Sequence, residues 1–154
     1  MSGNSPEIDL PQLPNARVAI ISSSWHLDIC NDLVAGAQRA LKGASISNVE
    51  VIYVPGSFEI PLAAQIAFEK GFNAVVAVGL VLEGETPHFD YVCQGVTQGV
   101  MDVSLKFSSP IGFGVLMCNT LDQAIARSGR PGSSEDKGYD SAVAAIKLLQ
   151  LKEG

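Results

Sequence analysis

His88 stands where an imidazole could transfer protons beside a bound anion. It belongs to the run Gly84-Glu85-Thr86-Pro87-His88-Phe89-Asp90-Tyr91-Val92, directly after the uncharged segment Ala74 to Leu82. This order predicts a strand followed by a helix that begins near His88. Helix N-termini attract anions and histidine titrates near neutral pH, so the junction could bind a phosphate group and move protons. A histidine in a first helical turn can also serve only as a capping or interfacial residue.

A second segment with the same layout is Val54-Pro55-Gly56-Ser57-Phe58-Glu59-Ile60-Pro61. It also follows a strand-like segment and opens a helix, and two such junctions on one parallel sheet face the same edge. Glu59 could accept hydrogen bonds from ligand hydroxyls there, or it could only favour the helix dipole. Together the two junctions predict a site for a small polar ligand.

Three further side chains could belong to such a site. Trp25 is the only tryptophan and follows three serines, Ser22 to Ser24, in a loop where an indole could stack on a flat heteroaromatic ring. Packing in the core is the alternative for Trp25. Arg127 lies near the end of a predicted short helix, where the dipole alone favours a cation. Lys137 has the default interpretation of a solvated loop charge.

The apolar pattern supplies a framework for these residues, because strands and helices alternate along the chain. The predicted strands are Val18 to Ile21, Val49 to Val54, Ala74 to Val81 and Ile111 to Cys118. Such alternation predicts an α/β protein, a flavodoxin-like three-layer α/β/α sandwich with a central four-stranded parallel sheet. Ligands of such folds bind beyond the carboxyl ends of the strands, which places Trp25, Glu59 and His88 on one rim.

Helical spacing of apolar residues fills the intervals between the strands. The first two predicted helices run from Leu27 to Gly43 and from about Glu59 to Gly71, and the third follows the valine stripe from Val92 to Val103. A short fourth helix runs from the capping box of Thr120 and Gln123 to Gly129. The last helix follows the loop 130–138 and includes Val143, Ile146 and Leu149. Gln150 is the one polar residue on the predicted apolar side of the last helix.

The proline-rich residues 1–14 are predicted to form an extended N-terminal arm that frays or lies on a neighbour. Residues 15–154 are predicted to form a single domain. Because 47% of the residues are apolar and only 17% are charged, we expect surplus apolar surface to be buried between subunits. The net charge of -6 argues against nucleic acid and anionic membranes as partners.

The three cysteines, Cys30, Cys93 and Cys118, are far apart in the sequence, and no pair has the spacing of a metal site. We expect them to be reduced, buried, structural thiols. With two histidines in the chain, a histidine-rich metal site is excluded. The chain begins with no secretory signal and contains no apolar stretch of membrane-spanning length, so a cytoplasmic protein is expected.

Three motifs together resemble the lumazine synthase family, whose members make 6,7-dimethyl-8-ribityllumazine in riboflavin biosynthesis. They are the run from Val54 to Pro61, the run from Gly84 to Val92, and Asp122-Gln-Ala-Ile-Ala-Arg127, and the resemblance extends from Arg17 to about Leu149. It implies a transferase that condenses 5-amino-6-(D-ribitylamino)uracil with 3,4-dihydroxy-2-butanone 4-phosphate and loses phosphate and water. No cofactor and no metal are implied.

The resemblance also implies roles for individual residues, with His88 as the general acid and base. The residues implied to bind the pyrimidine ring and ribityl chain are Trp25, Ser57, Phe58, Glu59, Leu80, Val81, Leu82 and Phe113. Those implied to bind the phosphate are Glu85, Thr86, Arg127 and Lys137. Phe113 and Arg127 match residues that an adjacent subunit contributes.

The resemblance therefore implies a homopentamer with active sites at subunit interfaces, and riboflavin synthase as the downstream partner. Some members of the family assemble further into sixty-subunit shells, and these tend to have a short loop between the last two helices. Residues 130–136 form a loop about two residues longer, stiffened by Pro131, so we expect pentamers rather than shells.

One departure from the family pattern is Glu83, where related sequences commonly carry a basic residue. Its charge opposes a phosphate ligand, so we expect weaker affinity for the butanone phosphate or a Glu83 side chain turned to solvent.

Two other functions compete with the enzyme. One is a non-catalytic flavin- or pterin-binding protein, which would not need His88, Thr86 and Arg127. The other is a flavodoxin-like or receiver-type signalling module. Ser22 to Ser24 faintly imitate the hydroxyl-rich loop with which such a module would bind flavin mononucleotide.

Overall fold

Strands and helices alternate along residues 8–153, the part of the chain that this computed structural model describes. The strands are β1 (Arg17–Ser22), β2 (Asn48–Tyr53), β3 (Ala74–Leu82) and β4 (Ile111–Cys118). The helices are α1 (Leu27–Gly43), α2 (Ile60–Glu69), α3 (His88–Phe107), α4 (Leu121–Arg127) and α5 (Lys137–Glu153). A single 3-10 turn, Ser57–Glu59, precedes α2. The predicted α/β class is confirmed.

All pairs of neighbouring strands in the sheet are parallel, in the order β2-β1-β3-β4. The two central strands are almost entirely buried, because helices cover both faces of the sheet. This explains why β3 shows no alternation of polar and apolar residues. All four strands direct their carboxyl ends to one edge, which gathers the loops that follow them.

Each face of the sheet has its own apolar core. Val18, Ile20 and Val76 point to the face covered by α1 and α5, whereas their neighbours Ile21 and Val75 point to the face covered by α2 and α3. Successive residues of a strand alternate between faces, so the same short runs of Val, Ile and Ala fill both cores. Both layers therefore hold the carboxyl edge of the sheet in a fixed position.

Most of the predicted boundaries agree with the structure to within a residue or two. The capping box is present, because Thr120 accepts a hydrogen bond from Gln123 N while the Gln123 side chain accepts one from Thr120 N. The last helix was expected to follow the loop 130–138 but already begins at Lys137. Gln150 is not part of the apolar side of α5, since it is exposed and accepts a hydrogen bond from Lys147 at 2.8 Å.

Residues 1–7 of the predicted arm lie outside the described residues. Residues 8–14 form no helix or strand, and they lie against their own chain. Whether residues 1–14 also contact a neighbouring subunit stays a prediction. Leu10 and Leu13 pack against the core beneath α1 and α5, and Leu13 N donates to Ala44 O at 2.9 Å. Within residues 8–153, no helix has the length and apolar character needed to cross a membrane.

Candidate functional site

A cleft of about 770 Å³ opens at the carboxyl edge of the sheet. Its walls come from the loop after β1, the turn before α2, the end of β3 and the first turn of α3. The lining residues are Trp25, His26, Gly56, Ser57, Phe58, Glu59, Leu80, Val81, Leu82, His88, Tyr91 and Val92. An apolar cleft of this size with a few polar groups at its rim suits a small polar molecule with a flat ring.

Trp25 lies at the mouth of this cleft and is 68% exposed, so the alternative of core packing is wrong. A hydrogen bond from α1 holds the backbone of Trp25, because the Cys30 thiol donates to Trp25 O at 3.2 Å. A Cβ atom at Gly56 would lie only 3.6 Å from the indole, so the ring stands beside the turn before α2. His26, the next residue, adopts a left-handed conformation with φ 52° immediately before α1.

The serines at the end of β1 and in the loop after it are structural rather than an exposed ligand loop. Ser22 and Ser23 are fully buried, and Ser24 Oγ donates to Val54 O at 2.8 Å. A loop for flavin mononucleotide would present its hydroxyls to the ligand, so these contacts argue against the signalling-module alternative. Ser23 Oγ instead accepts a hydrogen bond from Leu80 N at 3.4 Å, which ties the loop after β1 to the part of β3 that lines the cleft.

Ser57 presents an unpaired hydroxyl at the base of the cleft. The residue is only 5% exposed, and among residues 8–153 its Oγ has no hydrogen-bond partner. Gly79 makes room for this hydroxyl, because a Cβ there would lie 3.0 Å from Ser57 Oγ and 2.5 Å from Ser23 Oγ. Buried hydroxyl groups are usually hydrogen-bonded, so the position of Ser57 Oγ favours a ligand that hydrogen-bonds to it.

The segment Ser57–Glu59 is held in place by close packing on α3. A Cβ at Gly95 would lie 2.5 Å from Phe58 Cε1, and one at Gly99 would lie 2.7 Å from Pro61 Cγ. The two glycines that weaken the helical pattern of α3 therefore let this segment approach the helix closely. Glu59 stays exposed at the cleft and immediately precedes α2.

His88 is the first residue of α3 and lies exposed on the wall of the cleft. Its backbone N–H donates weakly to Thr86 Oγ1 at 3.4 Å. Within the described part of the chain, the amides of Gly84, Glu85 and Thr86 donate no hydrogen bond. Free amides next to the N-terminus of a long helix form a suitable site for an anion, within reach of an imidazole.

Glu83 lies beside this turn but is directed to the neighbouring strand end. Its carboxylate accepts a hydrogen bond from the side chain of Asn119, and its backbone N–H donates to Cys118 O at 2.9 Å. The residue remains exposed. The Glu83 carboxylate thus pairs with Asn119, and its effect on phosphate affinity stays a prediction.

Arg127 and Lys137 lie outside the cleft of their own chain and meet at the loop between α4 and α5. Arg127 Nη1 donates to Gln123 O at 2.9 Å, and Arg127 Nε lies 3.5 Å from Glu135 Oε2. Lys137 Nζ lies 3.1 Å from Glu135 Oε1. Lys137 is thus an ion-paired residue at the start of α5, and its interpretation as a solvated loop charge is wrong.

Phe113 also lies away from the cleft, on the outer edge of β4. It is 41% exposed and lines an apolar groove of about 520 Å³ between α3 and the end of α5. The most exposed apolar side chains of this groove are Met101, Leu105 and Leu151. One chain therefore brings together Trp25, residues 57–59, residues 80–82 and His88, and leaves Phe113, Arg127 and Lys137 on other surfaces.

Four lining residues were not among the predicted site residues: His26, Gly56, Tyr91 and Val92. Gly56, Tyr91 and Val92 belong to the two sequence runs that predicted the site, so their positions next to a strand end could have identified them. His26 follows Trp25 directly, but no pattern in the sequence indicates that its side chain faces the cleft.

The thiols lie away from the lining of the cleft. Burial raises the pKa of Cys30, and it also raises the pKa values of Cys93 and Cys118. Cys30 and Cys118 are buried and Cys93 is half-buried, so the expectation of buried thiols is met fully at two positions. No three His, Cys, Asp or Glu residues within residues 8–153 are grouped so that they could hold a metal ion.

Comparison with known proteins gives a consistent result over nearly the whole chain. Residues 15–153 match the sequence model of the family described as 6,7-dimethyl-8-ribityllumazine synthase. A curated relative of that name from Streptomyces coelicolor is 49% identical over 95% of this chain and 91% of its own length. One from Arthrobacter sp. strain FB24 is 50% identical, covering 95% and 94%. One from Mycobacterium sp. strain KMS is 46% identical, covering 100% and 97%.

Proposed function

Because the chain belongs to the 6,7-dimethyl-8-ribityllumazine synthase family, we propose that its cleft is where this transferase condenses its two substrates. The substrates are 5-amino-6-(D-ribitylamino)uracil and 3,4-dihydroxy-2-butanone 4-phosphate. The observation that carries the proposal is the convergence of an exposed indole, an unpaired buried hydroxyl and an imidazole around one cleft. These groups suit a flat ring, a polar chain and a proton transfer, respectively.

The pyrimidine ring stacks on Trp25, with the peptide groups of Leu80, Val81 and Leu82 along its edge. Its ribityl chain reaches Ser57, Phe58 and Glu59, where the Ser57 hydroxyl and the exposed Glu59 carboxylate bind hydroxyl groups. A rigid turn supports these contacts, because Phe58 and Pro61 pack on the glycines of α3. Binding the ring in this way orients its reactive amine toward the first turn of α3.

The phosphate of the second substrate binds to the free amides of Glu85 and Thr86 and to the N-terminus of α3. This places the ketone beside His88. An amine and a ketone already react slowly in water, and holding them together can supply effective molarities of about 10⁵ to 10⁸ M. His88 would add a factor of roughly 10² to 10⁴ by moving protons during imine formation, phosphate elimination and ring closure.

The remaining site residues come from a second subunit in this proposal. Phe113, Arg127 and Lys137 do not line the cleft of their own chain, and Phe113 borders an exposed apolar groove at the open edge of the sheet. A neighbour that covers this groove would bring its own cleft against this chain. Phe113 would then contact the ring bound by the neighbour, and Arg127 would contact the phosphate bound there. The assembly is a cytoplasmic homopentamer that supplies lumazine to riboflavin synthase.

A non-catalytic flavin- or pterin-binding protein would use the same ring-binding surface. It would not need the free amides of the Glu85–Thr86 turn next to the exposed imidazole of His88. A direct test separates the two functions. The purified protein is mixed with both substrates, and lumazine fluorescence and phosphate release are followed together. The enzyme should produce the two in equal amounts, whereas a ring-binding protein would produce neither above the uncatalysed rate.

A further inference from the structure

We propose that Glu135 is an internal anion which the substrate phosphate must displace from Arg127 and Lys137, and which thereby limits phosphate affinity and favours release of inorganic phosphate. This rests on the proposed function, since it takes Arg127 and Lys137 as phosphate-binding residues. Both cations meet the same carboxylate. Arg127 Nε lies 3.5 Å from one oxygen of Glu135, and Lys137 Nζ lies 3.1 Å from the other.

The backbone around Glu135 is anchored on α4, which keeps its carboxylate close to both cations. Its side chain is only 16% exposed, and its backbone N–H donates to Ala126 O at 3.0 Å. Ser133 and Ser134 on the same loop donate to the last carbonyls of α4. The loop therefore folds back over the end of α4 and holds Glu135 between the two cations.

The contacts of Glu135 are ion pairs of imperfect geometry. Among the described residues, its Oε1 is buried without an aligned hydrogen bond, although Lys137 Nζ is close to it. A buried carboxylate oxygen in this state gains less than it would from aligned donors. Lys137 is also 4.0 Å from Asp140, so its charge is shared between two carboxylates. Such a cation can exchange one anion for another at moderate cost.

Orientation of Arg127 does not depend on Glu135 alone, because Arg127 Nη1 is also held by Gln123 O. Removing the charge of Glu135 should therefore leave the guanidinium in place. A displaced Glu135 carboxylate stays near a phosphate on Arg127, because its loop is anchored on α4. Repulsion between a carboxylate and a singly or doubly charged phosphate about 6 Å apart in water corresponds to roughly three- to tenfold in a dissociation constant. In Glu135→Gln, the phosphate affinity gained by removing this repulsion should exceed any affinity lost because Arg127 is less well oriented.

The test compares inorganic phosphate binding to the wild-type assembly, Glu135→Gln and the matched control Glu50→Gln by calorimetry. Glu50 is an exposed carboxylate on β2, so its variant reproduces the change in net charge at a distance. Glu135→Gln should bind phosphate about three- to tenfold more tightly and show a similarly lower KM for the butanone phosphate. Glu50→Gln should stay within about twofold of wild type. Equal or weaker phosphate binding by Glu135→Gln would overturn the proposal.

If Glu135→Gln does not fold, the wild-type protein provides a second measurement. The ¹⁵N resonance of the Lys137 ammonium should shift as phosphate is added, because the lysine exchanges one anion for another. A resonance that does not move at saturating phosphate contradicts the exchange. The two levels of inference remain separable. A wild-type protein that forms no lumazine contradicts the proposed function, whereas lumazine formation with unaltered phosphate affinity in Glu135→Gln contradicts only the role of Glu135.

Discussion

At the scale of single residues, His88 and Arg127 should affect different steps. His88→Ala should slow lumazine formation by roughly ten- to a thousandfold and leave the dissociation constant of the pyrimidine within a few fold, because a proton carrier acts mainly in the transition state. Single-turnover kinetics and calorimetry measure the two quantities. A large loss of pyrimidine affinity in His88→Ala would assign the imidazole to binding instead.

Arg127→Ala provides the complementary change. It removes a cation that the proposal assigns to phosphate, so the KM of the butanone phosphate should rise by about tenfold or more. Pyrimidine affinity should remain nearly unchanged, as measured by calorimetry with the pyrimidine alone. If Arg127→Ala and His88→Ala weakened the pyrimidine equally, the division of roles between the two residues would be wrong.

The thiols offer a test of burial at residue scale. Burial raises the pKa of Cys30 above the ordinary value of 9.0, so a smaller fraction of this thiol is ionised in the folded than in the unfolded protein at pH 8. A disulfide reagent should therefore modify the half-buried Cys93 first and reach Cys30 and Cys118 mainly through unfolding. Cys93→Ser should remove the fast phase of the reaction. A fast phase that persists in Cys93→Ser would show that a buried thiol is accessible.

At the scale of elements, α3 positions the ring-binding turn through its glycines. Gly95→Ala would place a methyl group 2.5 Å from the Phe58 ring, so the segment Ser57–Glu59 must shift. Pyrimidine affinity should fall by about three- to tenfold, a typical consequence of overpacking at a contact. Gly99→Ala is the comparison variant, because it gives α3 the same gain in helix propensity but pushes on Pro61, which supports the segment without lining the cleft, so its affinity loss should be smaller. Comparable affinity losses in the two variants would contradict the role of Phe58.

Local sequence patterns predicted the elements well because each depends on near neighbours. The spacing from Leu27 to Gly43 gave α1, and the unbroken apolar run from Ala74 gave a doubly covered β3. Placement of Trp25, Glu59 and His88 on one cleft followed from the rule that parallel strands end at the same edge. The roles of these residues remain predictions.

Contacts between distant segments could not be predicted in this way. Nothing in the sequence around Gly95 indicates that it contacts Phe58. The sequence around Lys137 predicts a solvated charge, whereas in the folded loop its ammonium group pairs with Glu135. The pairing of Glu83 with Asn119 likewise depends on the register of β3 and β4. Such contacts are determined by tertiary packing, to which the pattern of a single segment is insensitive.

At the scale of the whole molecule, the groove beside β4 should be an interface. β4 has one neighbour in the sheet, and Leu105 is 70% exposed beside it. Leu105→Glu should therefore weaken assembly, since it places a charge where apolar surface is expected to be buried. Sedimentation of this variant should show smaller species than wild type and a parallel loss of activity. A fully active, fully assembled Leu105→Glu protein would place the interface elsewhere.

The size of the wild-type assembly is the remaining prediction, and we expect a particle of about five times 16.2 kDa. An active site that takes Arg127 from a neighbouring chain needs at least two subunits, and the pentamer follows from the family resemblance. Further assembly into a shell should be hindered by the loop of residues 130–136, which is longer than the short form and stiffened by Pro131. The loop is also fastened, because Arg130 Nε lies 2.7 Å from Asp32 and Arg39 lies 2.5 Å from Asp136. Light scattering that shows a particle near a megadalton would refute the loop argument, and an active monomer would refute the shared site.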